Sequence, residues 1–161
     1  LNREKEEFLV NPEMQPKLDD YEYIVQRQLK PDARTDIVYE LNDLGLVPSA
    51  MIDISDGLAS EFFHICKNSG TGVNIFEDKL PLDRRTYEAA VEFKIDPVTC
   101  MLNGGEDYEL LFTINQDDFE KIENHADIHF IGYVTEKEKG LNLVTKQESV
   151  VPIQAQGWEH F

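Results

Sequence analysis

Apolar positions along this chain recur with two different periods, and the switches between them predict its elements. Across residues 19–29 the thin series Tyr23, Ile24 and Leu29 predicts a helix. Lys30-Pro31 ends it, because the residue before a proline is steered away from helical backbone. Thr35 is placed to cap a second helix through Ile37, Val38, Leu41 and Leu44, closed by Gly45. Residues 50–54 have the short apolar look of a buried strand and run straight into Ser55-Asp56-Gly57. Beyond them Leu58, Phe62, Ile65 and Cys66 repeat at helical spacing, until Gly70-Thr71-Gly72 stops the helix before a strand at 73–76. Asp83 is placed to cap a helix with Tyr87, Ala90 and Val91 on one side, and a shorter helix is expected over 97–102. Residues 108–114 are apolar on both parities apart from Glu109 and Thr113, the pattern of a central strand buried on both faces. A helix at 116–124 and strands at 129–135, 141–145 and 150–153 follow, the last two joined as a hairpin through Lys146-Gln147-Glu148. Interleaved strands and helices argue a mixed α/β layer structure, and the polar stretch 1–20, with Pro12 and Pro16, reads as a lead-in or linker.

Length and composition narrow this further. The 161 residues, 41% hydrophobic, suit one domain, and such a domain buries roughly 70% of its unfolded surface without needing staples. No apolar run exceeds three residues, which excludes a transmembrane helix, and the absence of a charged-then-apolar leader argues against secretion. Leu1 in place of Met suggests a piece of something longer. Cys66 and Cys100 form no C-x-x-C pair and read as buried thiols, so a reducing, cytoplasmic setting is expected.

Charge changes the list of partners. Thirty-two acidic side chains face 15 Lys and Arg, a net charge of −17, and residues 1–80 carry 16 acids against 8 bases, so no acidic tail accounts for it. A duplex needs a basic footprint, and Arg84-Arg85 is the only adjacent basic pair; nucleic acid is disfavoured, as is an anionic membrane surface. A phosphate-bearing ligand is repelled too, unless a cation stands between it and the carboxylates.

Two acidic constellations carry candidate chemistry. In Asp53-Ile54-Ser55-Asp56-Gly57-Leu58, Asp53 interrupts an apolar strand and shares a face with Ser55, while Asp56 lies where a helix begins. Two carboxylates at a strand-to-helix junction suit Mg²⁺, which takes one or two of them and fills its other positions with water and phosphate oxygens. The bland alternative is that Ser55 or Asp56 merely caps the helix. In Gly104-Gly105-Glu106-Asp107-Tyr108-Glu109, tandem glycine permits a tight turn or close approach. The acids suit a metal or a donor-rich substrate, or are solvated charges after an ordinary turn. At the end, Gly157-Trp158-Glu159-His160-Phe161 offers a stacking surface for a flat ring, or an apolar plug. His125 and His129 straddle an element boundary, so a zinc site has little support, and no phosphate-loop fingerprint or Gly-x-Ser-x-Gly elbow is present.

Taken together, residues 52–58, the Gly104-Gly105-Glu106-Asp107-Tyr108-Glu109-Leu110 run about fifty residues later, and the terminal Gly157-Trp158 segment closely resemble the thiamine-monophosphate kinase family of AIR-synthetase-like ATP-dependent enzymes. The likeness covers 21–161 and is to the carboxyl-terminal half only. It implies an α/β (α+β) AIR-synthetase-like carboxyl-terminal domain, a mixed β-sheet with packed helices, with 1–20 leading in from an absent amino-terminal domain. It also implies phosphorylation of thiamine monophosphate by ATP, directly and without a phosphoenzyme, in a homodimer when full-length. By position, Asp53 and Asp56 resemble Mg²⁺ ligands, Ser55 a nucleotide contact, Glu106 and Asp107 substrate contacts, and Trp158 the aromatic that stacks on the thiamine portion. Glu159 stands where the family commonly has Asp. A selenophosphate-synthetase or hydrogenase-maturation type of enzyme and a non-catalytic cation-binding module are the alternatives.

Overall fold

The computed structural model describes residues 9–11 and 18–153. A 3₁₀ turn at Asp19–Tyr21 leads into α1 (Glu22–Leu29), and α2 spans Thr35–Asp43. Arg34 rather than Thr35 occupies the N-cap of α2, with no side-chain cap bond; Thr35 is already its first helical residue, and Asp36 supplies the first-turn negative charge. Gly45 closes this segment with φ 62°.

Strand β1 (Ala50–Asp53) is followed by α3 (Leu58–Ser69), β2 (Thr71–Phe76), α4 (Arg84–Glu92) and α5 (Pro97–Asn103). The last elements are β3 (Leu110–Thr113), α6 (Phe119–Ile122), β4 (Gly132–Glu136), β5 (Leu141–Val144) and β6 (Val150–Pro152). Asp83 caps α4 by accepting the Arg85 N–H, as expected, yet the buried side of α4 is Ala89 and Ala90. Tyr87 and Val91, expected on that side, face solvent.

Among the described residues the strands form two sheets. One has the order β4-β2-β5-β6, with β2–β5 parallel and the other pairings antiparallel; the other is the antiparallel pair β1-β3. The expected β5–β6 hairpin is present. The larger core lies between α3 and the four-stranded sheet, where Leu58, Ala59, Phe62, Ile65 and Cys66 meet Val73, Ile75 and Leu143. Leu111 of β3 joins it, whereas Leu110 and Phe112 turn to a second cluster of Ile37, Leu41, Leu46, Ile122 and Ile128. Strand β3 therefore touches apolar partners on both faces, as its pattern predicts. It is nevertheless not a central strand: its one sheet partner among the described residues is β1, and only Leu111 in it is fully buried.

Cys66 is buried and Cys100 half-buried, both free, and burial pushes both thiols up, away from the reactive thiolate. No helix among the described residues is long and apolar enough to cross a membrane.

Candidate functional site

The two acidic motifs, about fifty residues apart in the chain, are joined by main-chain bonds. Register in the β1–β3 pair runs from Ala50 opposite Thr113 to Asp53 opposite Leu110. Pairing then continues past the strand ends. The Ile54 N–H donates to Glu109 O at 2.8 Å, the Tyr108 N–H to Ile54 O at 2.9 Å, and the Glu106 N–H to Ser55 O at 2.7 Å. The Ser55 contribution visible here is thus its carbonyl, which anchors Glu106.

Glycine makes this contact possible. A Cβ on Gly105 would lie 2.7 Å from Ser55 O, so the second motif crosses the first with no room for a side chain. Gly57 adopts φ +108°, and a Cβ there would meet the Asn103 backbone at 3.1 Å. The crossing also bends ordinary residues: Glu106 (φ 67°) and Tyr108 (φ 53°) both occupy the left-handed region. Each costs on the order of 1–2 kcal/mol, so the surroundings must enforce them.

Neither Ser55 nor Asp56 caps α3. Gly57 is the N-cap, without a side-chain bond, and the Asp56 N–H is instead satisfied by Glu61 Oε1 at 3.1 Å. Glu61, 2% exposed, reaches back from the first turn of α3 and leaves the Asp56 carboxylate free. Sequence reasoning passed over Glu61. Its signal was position: it shares a helical face with Leu58, Phe62 and Ile65, where a carboxylate needs a reason.

Asp53 and Asp56 are both exposed, and neither carboxylate has a hydrogen-bond or ion-pair partner among the described residues. The Tyr108 hydroxyl donates to Glu106 Oε2 at 2.7 Å. That bond, the Glu106 charge and the nearby charges of Asp53 and Asp56 together push the phenol up, so the four groups share one electrostatic neighbourhood. Asp107 still reaches solvent, yet its crowded surroundings push its carboxyl up; the Glu109 charge adds to this and the Arg27 cation opposes it. Glu109 is not available to a ligand, because Arg27 and Arg34 each donate to one of its oxygens.

Among the described residues no three His, Cys, Asp or Glu side chains converge as a metal-ligand set. A pair of free carboxylates remains, and such a donor set fits Mg²⁺, which completes its sphere with water and phosphate oxygens. Trp158 lies outside the described residues. A cavity of about 500 Å³ lies away from both motifs, against Glu40, Asp43, Glu120, Lys121 and His125. None of its lining residues belongs to either motif.

No family model matches the chain. It is 37% identical over 145 residues to the thiamine-monophosphate kinase of Buchnera aphidicola subsp. Schizaphis graminum, covering 86% of this chain and 43% of that protein. Among solved structures, AaThiL complexed with AMPPCP and TMP matches with a TM-score of 0.75 and 31% identity, covering 95% of this chain and 46% of that one. The hydrogenase maturation protein HypE of Escherichia coli matches with a TM-score of 0.63 at 20% identity, covering 77% of this chain and 40% of that one, a likeness of fold alone. The chain spans less than half the length of these relatives.

Proposed function

By sequence and fold the chain belongs to the thiamine-monophosphate kinase family, and we propose that it supplies the carboxyl-terminal half of an ATP-dependent kinase converting thiamine monophosphate to thiamine diphosphate. One observation carries this reading: hydrogen bonds between the 53–58 and 104–109 motifs bring a free carboxylate pair beside a second acidic loop. In that arrangement Asp53 and Asp56 would hold Mg²⁺, Ser55 contacts the nucleotide, Glu106 and Asp107 contact thiamine monophosphate, and Trp158 stacks on its ring system. Bound Mg²⁺ supplies the charge neutralisation that a chain at −17 cannot draw from Lys and Arg. The rest is positioning: an oxygen of the substrate phosphate attacks the γ-phosphorus in line, the bond to ADP breaks, and no phosphoenzyme forms. The thiazolium cation of thiamine suits the acidic loop around Glu106 and Asp107. Residues 1–20 lead in from an amino-terminal domain, 21–161 form the AIR-synthetase-like domain, and the intact protein is a cytoplasmic homodimer.

The decisive assay follows thiamine diphosphate formation from ATP and thiamine monophosphate by the intact protein. Asp53→Asn and Asp56→Asn should each lower turnover by about 100-fold or more without unfolding it, the scale expected for lost metal-mediated charge stabilisation. Near-normal turnover in both variants, or in excess chelator, would refute the assignment. Thiamine monophosphate tested against aminoimidazole precursors separates the kinase from its fold relatives. The 161-residue chain alone is expected to be silent.

A further inference from the structure

The 106–108 loop holds two non-glycine residues in left-handed backbone, Glu106 at φ 67° and Tyr108 at φ 53°. Such a loop relaxes unless it is held on more than one side. From the β1 side it is held by the carbonyls of Ile54 and Ser55. From the other side, the side-chain restraint comes one residue later. Both oxygens of Glu109 are taken, one by Arg27 of α1 and one by Arg34 from the turn before α2. Arg34 is itself fixed by Asp36, which accepts from Nε at 3.1 Å and from a terminal nitrogen at 3.1 Å. Arg34 is only 19% exposed and Glu109 35%, so water screens this clamp less than it would an open surface pair.

Three features argue that the clamp serves the loop and not merely the fold. It ties the amino-terminal helices to the second motif at its half-buried acid, whereas Glu106 and Asp107 are exposed. It pairs the Glu109 charge with two cations. It also places Arg27 close enough to Asp107 for its cation to act on that carboxyl.

We propose that Glu109 is a positioning residue: gripped by Arg27 and Arg34, it holds the 106–108 loop in its left-handed course and so presents Glu106 and Asp107 to thiamine monophosphate. This assignment rests on the function proposed above.

Glu109→Gln in the intact protein tests it by two readouts. The KM for thiamine monophosphate should rise about tenfold, the scale of a lost charge-assisted hydrogen bond, with kcat and the KM for ATP changed less than about twofold. Hydrogen exchange at the Glu106 and Tyr108 amides should accelerate by a similar factor, about tenfold, while the β2 and β5 amides keep their protection. Unchanged exchange in the loop, or a fall in kcat alone with both KM values intact, overturns the proposal. Arg27→Gln, which leaves the Arg34 arm in place, should shift both readouts in the same direction by less, and it decides the matter if Glu109→Gln does not accumulate folded. Exchange reports on the loop whatever the reaction. Accelerated exchange in a protein with no kinase activity therefore retains the clamp and rejects the function, whereas an active kinase with an unmoved loop does the opposite.

Discussion

Beneath α3, strands β2 and β5 are held by side chains; at the β1–β3 junction, the chain is held by its own backbone. Ile75 of β2 is completely buried and Val73 nearly so, and both pack under Phe62 and Ile65. No residue in β2 has positive φ. At the junction, Asp53 and Asp56 lie in water, order comes from three main-chain hydrogen bonds beyond the strand ends, and two residues carry left-handed backbone. The contrast shows a constraint on sites of this kind. Carboxylates that must stay solvated and unpaired cannot be fixed by burial, so glycine contacts and main-chain bonds fix the segments that carry them.

That contrast can be broken at several points. The largest effect on stability is expected in the sheet: Ile75→Ala should cost about 3 kcal/mol in denaturant unfolding, because it opens a cavity where nothing can collapse, and should leave the KM values of the folded fraction alone. Gly105→Ala comes next, at about 2 kcal/mol, since the new methyl meets the Ser55 carbonyl and must push the two motifs apart. Unlike the core variant, it should also weaken substrate binding; an unchanged KM would show that the close approach is not needed by the site. Smallest is Asp107→Asn. Crowding raises the Asp107 carboxyl in the folded state, so the native protein keeps that proton to higher pH than the unfolded chain does. Its contribution is therefore most favourable below the ordinary carboxylate value, about 4, and declines as pH rises through the window above it. Asp107→Asn should remove that decline from a plot of unfolding midpoint against pH.

Much of this was legible along the chain. The β1-to-α3 turn, the αL stop at Gly70, the Asp83 cap and the β5–β6 hairpin each follow from neighbours in sequence, and each is present. Thr35 failed as a cap because the N-cap falls one residue earlier, at Arg34, whose side chain is taken by Glu109; Tyr87 and Val91 failed as a buried face because α4 turns Ala89 and Ala90 inward instead. Strand β3 was read as central from its two apolar faces, yet those faces meet two separate clusters while its edge bonds go to β1 alone among the described residues.

The site divides in the same way. Residue types and local spacing sufficed to mark Asp53, Asp56, Glu106 and Asp107 as candidates, since an acid in an apolar strand and acids after tandem glycine are anomalies wherever they occur. That Glu109 is consumed by Arg27 and Arg34, and that Glu106 hangs from the Ser55 carbonyl, were settled only by the folded chain. Propensity and patterning act over a few residues. A hydrogen bond or ion pair between segments 50 to 80 residues apart depends on how whole elements pack, and that information is written in no single stretch of the chain.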